Sequence, residues 1–144
     1  MSYDQGSREL VVEATVENLT AVNSFVDELL EDIDFSMKER MQLALAVEEL
    51  FVNIANYAYA PATGMATIRG MTVEHPSGVV LVFEDEGMPY DPLAKEDPNT
   101  EAPIEERDIG GLGIFLVKKN VDDIHYEYRD RKNVLTIRKN TGEK

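Results

Sequence analysis

Three groups of residues in this chain have types and spacings that suit chemistry, and the first lies on a segment with helical periodicity. Glu49, Asn53 and Asn56 are spaced i, i+4 and i+7, so a helix would carry all three on one stripe. The apolar residues of the segment place that stripe beside the buried face. Asparagine is a poor residue for a helix interior, because its side chain competes for backbone hydrogen bonds. The stripe is therefore either part of a polar site or a solvated helix edge.

The second group is a carboxylate and a glycine that follow an apolar strand pattern. Residues 79–84 lead into Asp85, Glu86 and Gly87. A carboxylate at a strand end is well placed to accept a hydrogen bond from an exocyclic amine in a pocket, and a glycine beside it lets a flat ring approach the backbone. The alternative is that Asp-Glu-Gly forms only a turn, which is the simpler interpretation of this segment alone.

The third group is the glycine run, Gly110, Gly111 and Gly113, which comes directly before a short helical pattern. Glycines at this place can turn backbone N–H groups toward an anion at the positive end of the helix. The run is not a P-loop, because no lysine and hydroxyl residue follow it, and it lacks the glycine spacing and the preceding strand of a dinucleotide-binding motif. It indicates either an anion site or a flexible hinge.

Charge and composition argue against several other classes of site. The 144 residues include 14 Lys+Arg against 28 Asp+Glu, so the chain lacks the basic balance of a nucleic-acid binder. There is no cysteine, and His75 and His125 do not have the spacing of zinc ligands. No grouping suggests a nucleophilic triad. Because no apolar run is long enough to span a bilayer and no signal-peptide pattern is present, we expect a cytoplasmic protein that does not bind membranes.

The elements that must position these groups follow the order β-α-α-β-β-lid-α-β-β. We predict strands at residues 10–16, 65–73, 79–84, 124–128 and 134–138, and helices at residues 19–33, from a capping box at Ser36 to Tyr59, and at 113–121. Residues of about 87–110 contain four prolines and many acidic side chains, which is typical of a lid.

Strands joined mostly by hairpins, with helices on one face, predict an α+β fold. We expect a two-layer α/β sandwich with a mixed, mostly antiparallel sheet. No internal repeat or linker divides the chain, so residues 1–144 are expected to form a single domain.

In their order and spacing, the three groups resemble the N, G1 and G2 boxes of the Bergerat-fold ATPases, the GHKL superfamily. Glu49-x-x-x-Asn53 is followed by Asp85-x-Gly87 and then by Gly110-Gly111-x-Gly113, with the lid before the last box. The resemblance covers nearly the whole chain. Residues 45–59, 85–92 and 110–117 look most like the anti-sigma-factor serine/threonine protein kinases, which are stand-alone histidine-kinase-like ATPase domains.

The resemblance implies ATP and Mg²⁺ as cofactors and a set of residues that hold them. The implied nucleotide contacts are Asn53, Asp85, Gly87, Arg107, Gly110, Gly111, Gly113 and Thr136. Asp85 would accept a hydrogen bond from the adenine amino group, with Gly87 beside the ring and Thr136 assisting through water. The amides of Gly111 and Gly113 would hold the phosphates, and Arg107 in the lid would contact the γ-phosphate.

The resemblance also implies a catalytic centre on the second helix. Asn53 would bind Mg²⁺ through its side-chain oxygen, and Glu49 would be the general base that polarises the attacking hydroxyl. These donors answer a difficulty of charge. An acidic protein must hold a polyanion with backbone amides, a carboxamide and a cation, because its net charge repels it.

The function that the resemblance implies is an ATP-dependent serine/threonine kinase that regulates transcription as an anti-sigma factor. Its partners would be a sigma factor and an anti-sigma-factor antagonist, which it phosphorylates, and related kinases are homodimers. Two alternatives stay open: a non-catalytic, ATP-dependent partner-switching module, and a simple ATPase in which water replaces the serine hydroxyl. Glu49 favours catalysis, since a site for binding alone can dispense with a base.

Overall fold

The fold is an antiparallel sheet covered by helices on one face. The computed structural model describes residues 7–94 and 109–142. Its strands are β1 (Ser7–Glu13), β2 (Met65–Val73), β3 (Gly78–Asp85), β4 (Asp123–Arg129) and β5 (Lys132–Asn140), and its helices are α1 (Leu19–Leu29), α2 (Met37–Asn53) and α3 (Ile109–Asn120). The sheet has the order β1-β2-β3-β5-β4. The α+β prediction is confirmed, and every pair of neighbouring strands in this sheet is antiparallel.

The core lies between the sheet and the helices, and strand alternation decides which side chains enter it. On β3, Leu81 and Phe83 are buried in the core cluster, and their partners Ile137 and Leu135 on β5 share that face. Phe51 of α2 is fully buried against the same cluster. Successive strand residues point to opposite faces, so the odd-numbered residues of β3 and β5 face the helices.

Helix α2 begins at the capping box that the sequence predicts. The Glu39 N–H donates to Ser36 Oγ at 3.0 Å, and the Ser36 N–H donates to Glu39 Oε1 at 2.8 Å. The regular helix ends at Asn53, and the chain continues as one π-helical turn, Ile54–Ala58. The prediction of one α-helix up to Tyr59 is therefore right about the helical path and wrong about its last turn. Such π turns are rare and occur frequently at functional sites.

Helix α3 begins at Ile109, four residues before the predicted start at Gly113. The glycine run therefore lies inside the first turns of the helix. Glycine can adopt helical dihedral angles, although it costs about 1 kcal/mol per residue relative to alanine.

Strand β2 has the predicted bounds, and most other element ends differ from the predicted ones by a few residues. Strand β1 ends at Glu13 because Val16–Asn18 form a 3-10 turn before α1. The β4–β5 hairpin turns through Asp130 and Arg131, which both have positive φ, as a tight two-residue hairpin turn requires. None of the helices within the described residues is long and apolar enough to cross a bilayer.

Candidate functional site

A cavity of about 360 Å³ opens where β3, β4 and β5 meet the end of α2. Most of its lining is apolar or aromatic, and the lining residues are Leu50, Asn53, Ile54, Tyr57, Ala58, Phe83, Asp85, Met88, Tyr90, Pro92, Tyr126, Asn133 and Leu135. A cleft with apolar walls and a few polar groups is the usual form of a small-molecule site. The structure thus brings Asn53 and Asp85, from two of the three sequence groups, to one cavity.

Asp85 is the buried carboxylate of this cavity. Its Oδ1 accepts two hydrogen bonds of 2.9 Å, from the Gly87 N–H and from Asn133 Nδ2. Both bonds that the described residues make to this carboxylate fall on Oδ1, which leaves Oδ2 for a donor on a ligand. Burial raises the pKa of Asp85, and the bonds from Asn133 and Gly87 oppose that rise.

Glu49, Asn53 and Asn56, which lie on α2 and the π turn after it, differ in how they relate to the cavity. Asn53 lines it, whereas Glu49 is half-buried one turn earlier, roughly 6 Å along the helix axis, and is not part of the lining. Asn56 is exposed and does not line the cavity either. In the π turn that follows Asn53, Tyr57 and Ala58 are the residues that line the cavity, together with Ile54.

The glycine run lies at the start of α3. The described part of the helix starts at Ile109, so Gly110 and Gly111 lie in its first described turn and Gly113 lies about one turn further along. Arg107 and most of the expected lid, residues 95–108, lie outside the described residues.

Comparison with known proteins shows the family of this chain. The family described as "Histidine kinase-like ATPase domain" matches residues 12–139. This chain belongs to that family. A curated relative from Bordetella bronchiseptica, the serine/threonine-protein kinase BtrW, is 29% identical over 106 residues, which are 72% of each chain. The family and this relative support an ATP-binding, kinase-like function, and the Bergerat-type fold expected from the three boxes is confirmed.

In this ATPase domain, the glycine of the second box is required by the backbone of the π turn. A Cβ on Gly87 would lie 2.2 Å from the Ala58 carbonyl oxygen and 2.7 Å from the Ala58 Cβ. The Met88 N–H donates to the same carbonyl oxygen at 2.9 Å. Gly87 itself does not line the cavity, so the structure accounts for it through the packing of the chain after β3 against the π turn.

Tyr59 holds the π turn against the sheet. Its hydroxyl donates to the Met65 carbonyl oxygen and accepts from the Glu86 N–H, both at 2.7 Å. Burial raises the pKa of this hydroxyl. The ring packs so closely on Gly64 that a Cβ there would lie 2.4 Å from it. One side chain therefore joins the end of α2, the start of β2 and the end of β3, and so fixes one wall of the cavity.

Asn133 is a site residue that the sequence motifs do not include. It stands directly opposite Asp85 in the register of β3 and β5 and is buried at the cavity. Its identity as a cavity residue could have been found from strand alternation, because Leu135 and Ile137 mark the apolar face of β5 and Asn133 shares it.

Thr136, in contrast, is not among the residues that line the cavity. It lies between Leu135 and Ile137, whose side chains are buried under the helices, so the pleat turns Thr136 to the opposite face of the sheet. Asn133 lies two residues before Leu135, so its side chain points to the helix-covered face, whereas the side chain of Thr136 points away from it.

A divalent cation in this site would have few ligands from the protein. Among the residues that the structure describes, no group of three or more His, Cys, Asp or Glu side chains could hold a metal ion. Mg²⁺ is commonly bound in this sparse way, through one or two protein oxygens, water and the oxygens of a phosphate ligand. The Asn53 carboxamide at the cavity fits that pattern.

Proposed function

We propose that this ATPase domain is a cytoplasmic serine/threonine protein kinase that acts as an anti-sigma factor. Its substrate is an anti-sigma-factor antagonist, its second partner is a sigma factor, and it works as a homodimer. The observation that carries the proposal is the buried carboxylate of Asp85 facing one cavity with Asn53, in a member of the histidine kinase-like ATPases. The kinase name of the Bordetella relative supports transfer to a serine or threonine hydroxyl.

Recognition of adenine rests on Asp85. Since Gly87 and Asn133 occupy Oδ1, Oδ2 accepts the hydrogen bond from the exocyclic amino group of the base. The apolar lining, with Phe83 and Leu135 among it, covers the faces of the ring.

Phosphoryl transfer needs mainly positioning and neutralisation of charge. Asn53 would hold Mg²⁺, which supplies positive charge to the phosphates when it is bound. In this proposal the backbone amides of Gly110, Gly111 and Gly113 face the phosphates, and Arg107 contacts the γ-phosphate. Glu49 accepts the proton of the serine hydroxyl as the hydroxyl oxygen bonds to the γ-phosphorus. The bond between that phosphorus and the β–γ bridging oxygen breaks, and ADP leaves with the electron pair.

A non-catalytic partner switch is the second candidate, because Glu49 does not line the cavity. In that case ATP would change the affinity for the sigma factor without being consumed. A simple ATPase is distinguished from both by hydrolysis without any protein substrate.

The test compares two adjacent glutamates of α2. The protein is first used as bait, with ADP or ATP, to capture its antagonist from the native cytoplasm. The transfer of labelled phosphate from γ-³²P-ATP to that antagonist is then measured. We expect Glu49→Gln to slow transfer by about a hundredfold or more, the usual loss when a general base is removed. Glu48→Gln is the matched control, since Glu48 is exposed on the same helix.

Equal rates for the two variants would remove Glu49 from the mechanism. Tight Mg-ATP binding by the wild type without transfer to any captured protein would favour the partner switch over the kinase.

A further inference from the structure

Asn133 uses every hydrogen-bonding position of its side chain at the cavity. Its Nδ2 donates to Asp85 Oδ1 at 2.9 Å and to the Met88 carbonyl oxygen at 3.0 Å. Its Oδ1 accepts from the Tyr90 N–H at 3.1 Å and from the Tyr126 hydroxyl. A carboxamide has two N–H donors and two acceptor lone pairs, so all four are engaged.

We propose that Asn133 is the positioning residue for base recognition: it holds Asp85 Oδ1, so that Oδ2 faces the ligand as an acceptor only. On this view Asn133 sets the selectivity for a base that carries an exocyclic amino group. The inference rests on the proposed binding of ATP at this cavity, and it adds a residue that lies outside the three boxes.

The geometry explains why a carboxamide is needed at this position. Asn133 and Asp85 are direct partners on neighbouring strands, so the two side chains stand side by side on the cavity face. The bonds from Tyr90 and Tyr126 fix which end of the carboxamide is the oxygen, and this directs Nδ2 toward Asp85. An aspartate of the same size could accept from Tyr90 and Tyr126 but could not donate to Asp85 when ionised.

The same side chain also anchors the first residues after the second box. Met88 and Tyr90, at the start of the expected lid, are both bonded to Asn133 through their backbones. The carboxylate that receives the base and the beginning of the lid therefore share one support on β5.

The experiment measures affinities for two nucleotides by calorimetry with Mg²⁺ present: ATP, and purine riboside triphosphate, which lacks only the amino group. In the wild type we expect ATP to bind at least about tenfold more tightly, as for one hydrogen bond to a charged acceptor. In Asn133→Asp this ratio should fall to within about threefold of unity. Asn133→Leu, which has a similar size but neither a charge nor a hydrogen-bond donor, should lower the ratio in the same direction.

A merely structural role would weaken both nucleotides equally and leave their ratio unchanged, so a wild-type ratio in either folded variant overturns the proposal. Asn140→Asp is the matched control, because it makes the same change on the same strand and keeps the Oδ1 acceptor used by Arg138. If the wild type itself does not bind ATP, the proposed function fails. If it binds with the expected ratio and Asn133 does not affect that ratio, only the inference about Asn133 fails.

Discussion

At the scale of single residues, Asp85 lowers the stability of the fold and, as we propose, binds the nucleotide base. Asp85 is a buried carboxylate that receives only neutral donors from the described residues, and burial raises its pKa. The charged form is therefore less stable in the folded protein than in water. A ligand that brings a donor to Oδ2 offsets part of this cost, which ties the affinity for nucleotide to the same residue.

Asp85→Asn should separate binding from folding. The carboxamide oxygen of the introduced asparagine can still accept from Asn133 Nδ2 and the Gly87 N–H, so the internal bonds survive. Its amide group, however, would oppose the adenine amino group. We expect the affinity for Mg-ATP, measured by calorimetry, to fall by more than about tenfold. An unchanged affinity would show that the base does not contact Asp85.

The stability of the wild type relative to Asp85→Asn should change with pH in a defined direction. The pKa of Asp85 in the folded state lies above its unfolded value, so the folded state binds more protons in the window between the two values. The wild type therefore loses stability from this group as pH rises through that window, and Asp85→Asn does not. Urea unfolding at several pH values should show the variant gaining on the wild type as pH rises from about 4 to 7. A gain at low pH instead would contradict the sign of the shift.

Gly87→Ala should destabilise the fold even without nucleotide. The new Cβ would meet the backbone carbonyl of Ala58, which cannot move as a side-chain end can. We expect a loss of at least about 1 to 3 kcal/mol in the free energy of unfolding, the usual range for overpacking. The neighbouring Glu86→Ala, at an exposed position, should stay within about 0.5 kcal/mol of the wild type in the same urea titration.

At the scale of elements, α2 and α3 each carry an unusual feature at the residues that the sequence singles out. Helix α2 ends in the π turn Ile54–Ala58, and α3 begins with the glycine run. The π turn departs from regular α-helical geometry, and the glycines lower the intrinsic stability of the helix that contains them.

Gly110→Ala combined with Gly111→Ala should strengthen α3 and weaken the binding of nucleotide. Alanine favours the helix by about 1 kcal/mol per glycine replaced, so the midpoint of thermal unfolding should rise. The two Cβ atoms would keep phosphates away from the backbone amides, so the Kd for Mg-ATP should increase. Gly113→Ala is the matched control and should raise the midpoint with a smaller loss of affinity, because Gly113 lies further along the helix than Gly110 and Gly111. Equal losses of affinity in the double variant and in Gly113→Ala would contradict a contact between the phosphates and Gly110 and Gly111.

The sequence predicts those elements whose cues are local. Strand β2 has the predicted bounds Met65–Val73, and the capping box at Ser36 is present, because alternation and cap chemistry are properties of a short stretch. The π turn has no such local pattern, and its Ala58 packs against Gly87, which is distant in the sequence. Asn133 escapes the sequence motifs for the same reason, because its partner Asp85 is 48 residues away.

At the scale of the whole molecule, the net charge of −14 opposes a polyanionic ligand. Favourable contacts at the site are local, whereas the repulsion acts over the distance that salt permits. The screening length falls from about 30 Å at 0.01 M salt to about 8 Å at 0.15 M. Salt should therefore remove more of the repulsion than of the attraction.

The association rate of Mg-ATP should rise with ionic strength. Stopped-flow measurements between about 0.01 and 0.15 M NaCl, at constant free Mg²⁺, would follow it. In a protein that attracts nucleotide through a basic surface, the association rate would fall as ionic strength rises. A rate that falls with salt would mean that a local positive field outweighs the net charge of the chain.

The pairing of Asp85 with Asn133 limits how relatives of this protein can change in length. A single inserted residue in β3 or β5 would turn one of the two side chains to the opposite face, since strand residues alternate. Additions at the Asp130–Arg131 turn or between residues 95 and 108 lie outside the paired segment. Relatives should therefore carry insertions at those two places and keep the lengths of β3 and β5. In a divergent relative, the residue that supports the aspartate is the one paired with it on the neighbouring strand.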